Sequence, residues 1–380
     1  MPSSICSTLT NKELFYFTGK CLMLDEDPLF REEIITLNAA GAIDWLRFSA
    51  SCSDHLILPV IYLKFQKHGI IDNLPEEFSE HLKYLYELNR ERNSRILAQL
   101  GSITAILNKN DIYPVFLKGA AHLLDGLYSD IGERIMGDID FLIPEKDYIR
   151  TAKILEDEGY ALHEPFLYFD VAVLKHYPPL AKPGEPAYLE IHRLLTEKEL
   201  SWFNARITDQ EKKEIKMLQG CHVLSDNHKI AHNFIHGQLH HQGHLTGIVS
   251  FCDLYDLYLL SKRSDIHQTL AYIKAKRKAI AYFAFAGKVF GTQGRFYTGN
   301  NFSAWLFIKK HDLNLSSRTF YHTHRTIIFL GQRIIFKYIP QLVKSIYSSE
   351  VRQSLIKRMK DPDYYRAHFK SYIDLFAQNK

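Results

Sequence analysis

Two aspartates one residue apart, Asp138 and Asp140, are the clearest chemical signal in this 380-residue chain. They lie in the segment 137–143, where the remaining residues are mostly apolar and predict a β-strand over 138–143. Because strand side chains alternate between faces, both carboxylates should point to the same side of a sheet. Adjacent carboxylates repel each other unless a cation lies between them, and Mg²⁺ prefers such oxygen ligands. The pair predicts a divalent metal site, and the alternative is an edge strand with a solvated acidic face.

A strand-to-helix turn at Lys118 and Gly119 comes before the aspartates. The pattern predicts a strand over 113–118 and a helix over 120–128. The first N–H groups of a helix have no partner inside it and attract anions. We therefore expect the backbone at this turn to hold a polyphosphate.

A third carboxylate, Glu190, follows in the alternating segment 187–193, which predicts a strand with Glu190 and His192 on one face. A preceding strand over 166–180 and a turn at 182–186 would complete a hairpin. The sequence therefore supplies three carboxylates on two strands beside the Lys-Gly turn.

These residues resemble the DNA polymerase beta-like nucleotidyltransferase superfamily and, more narrowly, a family of uncharacterised nucleotidyltransferases. The resemblance covers residues 113–193. Its ordered motifs are Leu-Lys-Gly-Ala, Leu-Tyr, Arg, Asp-Ile-Asp and Glu-x-His, which here are 117–120, 127–128, Arg134, 138–140 and 190–192. The chain departs from the superfamily at Ala120, where Gly or Ser is usual, and at Glu190, where Asp is commoner.

The resemblance implies an enzyme that transfers a nucleoside monophosphate from an NTP, such as ATP, to a hydroxyl acceptor with Mg²⁺ or Mn²⁺. By resemblance, the catalytic and metal-binding residues are Asp138, Asp140 and Glu190, and the nucleotide-binding residues are Lys118, Gly119, Ala120 and Arg134. Two alternatives remain open. One is a catalytically inactive nucleotide-binding or protein-interaction module, and the other is a tRNA-modifying toxin-type nucleotidyltransferase.

A histidine-rich segment follows at 232–244. His232, His236 and His240 recur every four residues, which places them along one helical face, where paired histidines can bind zinc. The hydrolase zinc motif needs Glu after the first His, and Asn233 stands there instead. Polar residues that line the cleft are the favoured interpretation, and structural histidines are the next. The cleft-lining residues would be His192, His232, His236 and Asp253.

The predicted fold class is α+β, with a minimal nucleotidyltransferase sheet between large helical regions. The predicted divisions are an N-terminal helical region over 1–110, a catalytic core over 111–200 and a C-terminal helical region over 201–380. The clearest helix runs from Pro75 to about Asn108, where apolar residues recur at spacings of three and four.

Charge is distributed unevenly along the chain. Residues 265–380 contain 20 lysines and arginines against 6 aspartates and glutamates, whereas the full chain has a net charge of +4. Such a basic region could bind nucleic acid, or it could dock on the acidic remainder. Residues 325–347 fit a basic amphipathic helix, for which membrane-surface or RNA contact are two uses. We expect no transmembrane segment, because the apolar run 279–286 is too short.

The five cysteines are scattered and form no Cys-x-x-Cys pair. This pattern argues against a disulfide framework and against a structural zinc site. The first residues show no basic segment followed by an apolar run, so we expect no secretory signal. The sequence therefore predicts a cytoplasmic protein.

Overall fold

The computed structural model describes residues 7–163, 174–196, 200–204, 211–292, 294–296 and 301–362. The chain divides after Ser316 into two compact units.

The first unit begins with five helices. Helix α1 is held at its start by a capping box, in which Thr10 Oγ1 accepts from the Glu13 N–H and the Glu13 carboxylate accepts from the Thr10 N–H. The helix predicted from Pro75 to about Asn108 is confirmed as α5. The bounds are α1 Asn11–Leu22, α2 Phe30–Ala39, α3 Trp45–Asp54, α4 Leu58–Lys67 and α5 Glu76–Asn108.

A seven-stranded mixed sheet follows, which confirms the α+β class. Its strands lie in the order β3-β4-β5-β2-β1-β7-β6. Two strands come from beyond residue 200, so the sheet extends past the predicted core. The bounds are β1 Val115–Phe116, β2 Asp138–Leu142, β3 Ala161–Leu162, β4 Leu180–Ala181, β5 Tyr188–His192, β6 Lys212–Glu214 and β7 His222–Leu224.

Strand β2 lies between β1 and β5 and pairs with β5 in parallel. The predicted hairpin is present as β4 antiparallel to β5 around the 182–186 turn, although β4 is only two residues long. Much of the predicted 166–180 strand lies outside the described residues. After β2 the chain forms a 3₁₀ turn, Glu145–Asp147, which leads directly into an α-helix.

The remaining helices of the first unit pack around the sheet and the N-terminal helices. They include a six-residue π-helix, Ile235–His240, that continues α9 without a break. The bounds are α6 Lys118–Leu124, α7 Tyr148–Asp157, α8 Ser201–Asn204, α9 Asp226–Phe234, α10 Gly243–Thr246, α11 Phe251–Ser261, α12 Ile266–Thr269, α13 Lys276–Phe290 and α14 Phe302–Ser316.

Helix α5 links the two hydrophobic cores. Near its start, Phe78 and Leu82 pack in the larger core with the surrounding helices. Near its end, Leu100 and Leu107 pack in the smaller core against the sheet. One helix therefore fixes the sheet relative to the helical part of the first unit.

The second unit consists of consecutive helical segments within its described residues. A π-helix, Arg333–Tyr338, joins α15 to α16. The bounds are α15 Arg318–Gln332, α16 Ile339–Tyr347 and α17 Ser349–Met359.

Within the described ranges, no helix has the length and apolar character needed to cross a bilayer. Cys21, Cys52, Cys221 and Cys252 are free and buried.

The burial of His311 in the helical core predicts how the stability of the protein depends on pH. Its ring lies 4.5 Å, centroid to centroid, from both Phe15 and Phe285, and burial lowers its pKa to about 3. In the unfolded chain His311 binds a proton as the pH falls below about 6.5, whereas in the folded chain it stays neutral until about pH 3. The free energy of unfolding therefore decreases as the pH drops from 6.5 towards 3. We expect His311→Gln to reduce this slope by about 1.4 kcal/mol per pH unit between pH 6 and 5. Urea unfolding at several pH values measures it, and an unchanged slope would contradict the burial argument.

Candidate functional site

The parallel pairing of β2 with β5 positions the acidic side chains. In its register Asp140 lies opposite Glu190, and His192 is two residues further along β5 on the same face. His192 Nε2 is 2.8 Å from Asp140 Oδ1 and 3.5 Å from Glu190 Oε2. One possible ligand atom from each of the three residues lies within 4.8 Å of the others. The predicted convergence of Asp140 and Glu190 is therefore present in the structure. We call these two carboxylates the acidic group.

Asp138 lies on the same face of β2, one step before Asp140 along that face. Its side chain is partly buried, and burial together with the negative charge of Asp140 raises its pKa. The compact group of three ligand atoms contains His192 and does not contain Asp138. The expected role of Asp138 as a metal ligand stays a prediction.

The turn between β1 and α6 brings Lys118 to the carboxylates. Lys118 has φ +47°, a left-handed conformation that is uncommon for a residue with a side chain. Its Nζ lies 2.7 Å from Asp140 Oδ1, and the Leu117 N–H donates to the Asp140 carbonyl at 2.9 Å. The strained turn is thus tied to β2 by both backbone and side chain.

The ionisation of Asp140, Glu190 and His192 follows from the charges that lie next to each of them. Burial opposes ionisation of Asp140, but Lys118 and His192 outweigh it and lower the Asp140 pKa. Burial also opposes protonation of His192, whereas its contacts with Asp140 and Glu190 raise its pKa. The hydrogen bond from His192 lowers the Glu190 pKa. Asp140 and Glu190 are therefore anionic at neutral pH, with Lys118 and His192 as neighbours.

Gly119 and Ala120 form the first turn of the seven-residue helix α6, and both are buried. A Cβ added at Gly119 would lie 3.1 Å from Met136 Cβ, so glycine permits a close approach of the turn to the segment that leads into β2. The predicted role of this backbone in holding phosphate is compatible with its position next to Lys118.

Arg134 is tied to a buried carboxylate on α11. Its Nε lies 3.0 Å from Asp256 Oδ1, its Nη2 lies 2.9 Å from Asp256 Oδ2, and its Nη1 donates to the Ile135 carbonyl. The Tyr128 hydroxyl donates to the same carboxylate. All three guanidinium nitrogens therefore have protein acceptors. Nucleotide binding by Arg134 stays a prediction, and it would require Arg134 to give up part of its pairing with Asp256.

A cavity of about 100 Å³ lies beside Lys118, between the sheet and helices α9 and α11. Burial lowers the pKa of His232 to about 3 and raises the pKa of Asp253 to about 6. Burial also lowers the pKa of His236, so both histidines are neutral at pH 7. The polar residues that line the cavity are Lys118, His122, Arg134, Lys229, His232, Asn233, His236, Asp253 and Asp256.

Two contacts that hold the site were not expected from the sequence. Asp256 is three residues after Asp253 on α11, and its type in an otherwise apolar helix is the signal that could have pointed to a buried partner. Arg92 on α5 donates to the carbonyls of Met136 and Pro186, which precede β2 and β5. The Arg92 side chain therefore spans the entrances of both acidic strands.

Carboxylates on neighbouring strands thus lie beside a Lys-Gly turn, which is the arrangement that the resemblance to nucleotidyltransferases implied. A family model described as an uncharacterised nucleotidyltransferase matches residues 41–291, about two thirds of the chain. The protein belongs to this family. Among proteins of curated function, none matches the sequence.

A divalent cation, which this class of enzyme implies, fits the donor set. Asp140, Glu190 and His192 offer two carboxylates and one imidazole within a small volume. The Nζ of Lys118 already places a positive charge 2.7 Å from Asp140 Oδ1. The two carboxylates therefore offer ligand atoms for a cation, and Lys118 competes for one of them.

Lys118 gives a prediction about cation binding. Because its ammonium competes for Asp140 Oδ1, Lys118→Met should strengthen binding of Mg²⁺ or Mn²⁺ in the absence of nucleotide, by roughly tenfold for one lost like charge at about 1.4 kcal/mol. The rise in melting temperature on adding the ion measures this. Lys213→Met, which removes an exposed lysine paired with Asp226, is the control. A smaller rise for Lys118→Met than for wild type would show that the lysine does not compete with the ion.

Proposed function

We propose that the protein transfers a nucleoside monophosphate from an NTP to a hydroxyl-bearing acceptor, with a divalent cation held by Asp140 and Glu190 together with Asp138 or His192. The observation that carries the proposal is the opposition of Asp140 and Glu190 across two parallel strands, with Lys118 2.7 Å from Asp140 Oδ1. Family membership supports the same chemistry.

In this reaction the acceptor oxygen forms a bond to the α-phosphorus while the bond from that phosphorus to pyrophosphate breaks. Mg²⁺ or Mn²⁺, when bound, would neutralise phosphate charge and lower the pKa of the acceptor hydroxyl. The backbone at Gly119 and Ala120 would orient the phosphates, and Lys118 would turn from Asp140 to add positive charge there. Glu190, anionic at neutral pH, would accept the proton of the acceptor hydroxyl.

The cavity beside Lys118 would hold part of the acceptor or nucleotide, with His232, His236 and Asp253 as its polar contacts. At about 100 Å³ it has room for a few waters or one polar group of a substrate. These three residues would therefore select for a hydrogen-bonding group that enters from the catalytic side.

The test uses radiolabelled NTPs. The purified protein is incubated with Mg²⁺ or Mn²⁺, a cell extract and each NTP labelled either at the α- or at the γ-phosphate. Nucleotidyl transfer moves the α-label into a new molecule and releases the γ-label in pyrophosphate. Transfer of the γ-label that occurs only when the purified protein is added to the extract would instead identify a kinase and overturn the proposal.

The identity of the labelled molecule separates the remaining alternatives. Label in tRNA would support a tRNA-modifying enzyme, and binding through the basic 265–380 region should then weaken steeply with salt. Metal-dependent nucleotide binding without transfer to any acceptor would favour the inactive module.

A further inference from the structure

His192 differs from the carboxylates that surround it, because an imidazole nitrogen enters a group of oxygen ligands. Its side chain is 3% exposed, and Nε2 faces Asp140 and Glu190 at 2.8 and 3.5 Å. In an octahedral site with bonds of about 2.1 Å, neighbouring ligand atoms lie about 3 Å apart. The spacing of Nε2 from both carboxylate oxygens is therefore close to that of ligands sharing one ion.

The contacts of the ring show which of its nitrogens faces the carboxylates. The Nδ1 atom of His192 is buried and has no hydrogen-bond partner among the described residues. The ring lies 5.2 Å, centroid to centroid, from His176. The polar contacts of this side chain are thus concentrated at Nε2, the atom that faces the acidic group.

We propose that His192 is a direct ligand of the divalent cation and that the resulting mixed nitrogen and oxygen site prefers Mn²⁺ to Mg²⁺. This inference rests on the cation of the proposed function. Mg²⁺ prefers all-oxygen ligands, whereas imidazole nitrogen binds transition metals more strongly. In the alternative role, His192 only positions Asp140: its Nε2–H donates a hydrogen bond to Asp140, and the ion binds carboxylates alone.

Pulsed electron paramagnetic resonance of the full-length protein with bound Mn²⁺ distinguishes the two roles. A directly bound imidazole gives nitrogen coupling to the ion, which changes when histidine is labelled with ¹⁵N. We expect this coupling in the wild type and its loss in His192→Asn. His311→Asn, which alters a buried histidine of the helical core, should keep the coupling.

Calorimetry with each metal ion alone measures the preference. We expect Mn²⁺ to bind the wild type at least about tenfold more tightly than Mg²⁺, and His192→Asn to reduce that ratio. Absence of nitrogen coupling in wild-type protein with bound Mn²⁺ would overturn the inference without any variant. Nitrogen coupling without label transfer would overturn the proposed function alone, and transfer without coupling would overturn this inference alone.

A second, independent feature lies in the second unit, beyond the residues that the family model matches. Helix α16 exposes large apolar side chains at positions i, i+3, i+4, i+7 and i+8, which lie on one face of a helix. We call this set the apolar face of α16. Its members are Ile339, Leu342, Val343, Ile346 and Tyr347, with exposures from 47% to 85%.

The charge of the residues around this face indicates which kind of partner it would bind. Residues 317–362 contain nine lysines and arginines against two acidic residues. A second copy of this unit would bring a like charge, whereas an anionic lipid surface offers both opposite charge and an apolar layer. RNA would satisfy the charge but would leave the apolar face in water.

The geometry points to an anionic membrane surface as the partner of the apolar face of α16. Sedimentation of the full-length protein with phosphatidylcholine vesicles, with or without about 30% phosphatidylserine, tests it, with binding expected to the anionic vesicles and to weaken with salt. The double variant Leu342→Asp with Ile346→Asp should reduce binding at least tenfold, whereas Leu46→Asp, at an 82% exposed leucine of α3, should not. Equal binding to both vesicles, binding to RNA alone, or dimer formation without vesicle binding would each overturn this proposal.

Discussion

Replacing Asp140 by asparagine is expected to lower the rate of nucleotidyl transfer by about 10³-fold or more. Asp140 is 2% exposed and its Oδ1 contacts both Lys118 and His192, so it is the centre of the acidic group. The neutral amide would remove one charge from the cation site and place an NH₂ or a weaker oxygen ligand there. A loss of about 4 kcal/mol of transition-state stabilisation corresponds to that factor. Initial rates of α-label transfer under saturating nucleotide measure it.

The matched control is Asp111→Asn, an exposed aspartate with φ +57°, a conformation that asparagine also tolerates. It should leave the rate unchanged. The melting temperature of Asp140→Asn must stay close to that of the wild type for the comparison to report chemistry. More than a tenth of wild-type activity in folded Asp140→Asn would mean that Asp140 is not part of the reacting site.

The second large effect concerns stability rather than chemistry. Asp256→Ala should lower the free energy of unfolding by about 3–5 kcal/mol, because it leaves the largely buried guanidinium of Arg134 without its carboxylate. The Tyr128 hydroxyl loses its acceptor at the same time. Burial opposes ionisation of Asp256, but Arg134 outweighs it and lowers the Asp256 pKa. Urea unfolding at pH 7 measures the loss.

Two further variants test whether the loss in Asp256→Ala comes from an unpaired buried charge. Glu33→Ala breaks the exposed pair with Lys20, in which both side chains are about half exposed, and should cost at most about 1 kcal/mol. Replacing Arg134 and Asp256 together by leucine should recover part of the loss, because no buried charge then remains unpaired. Near wild-type stability of Asp256→Ala would show that Arg134 does not depend on this pair, and would favour its role as a phosphate ligand.

The parts of this fold that could be predicted from the sequence are those with strong periodicity. The spacing of apolar residues predicted α5 and the alternation predicted β2 and β5, because each of these elements buries one face. Strands of three residues, such as β6 and β7, are too short to show a period. The pairing of β7 with β1 also joins segments about a hundred residues apart in the chain.

The site was predictable to a similar extent. Residue order and family resemblance indicated that Asp138, Asp140 and Glu190 would converge beside the Lys-Gly turn, and the compact group contains Asp140 and Glu190 but not Asp138. The direction of the Lys118 side chain, which contacts Asp140, could not be predicted from the sequence. No local pattern could show that β2 and β5 are parallel in a register that opposes Asp140 to Glu190, since register is set by the whole sheet. The same applies to Arg134, whose partner Asp256 lies 122 residues later in the chain.

Calorimetric titration with a non-hydrolysable NTP analogue, with and without Mn²⁺, tests most directly whether the acidic group and the Lys-Gly turn form one cation-dependent nucleotide site. The wild type should bind the analogue with Mn²⁺ present and at least about tenfold more weakly after chelation, and Glu190→Gln should weaken the Mn²⁺-dependent binding to a similar degree. Binding of equal strength with and without the ion, or unchanged in Glu190→Gln, would contradict the account.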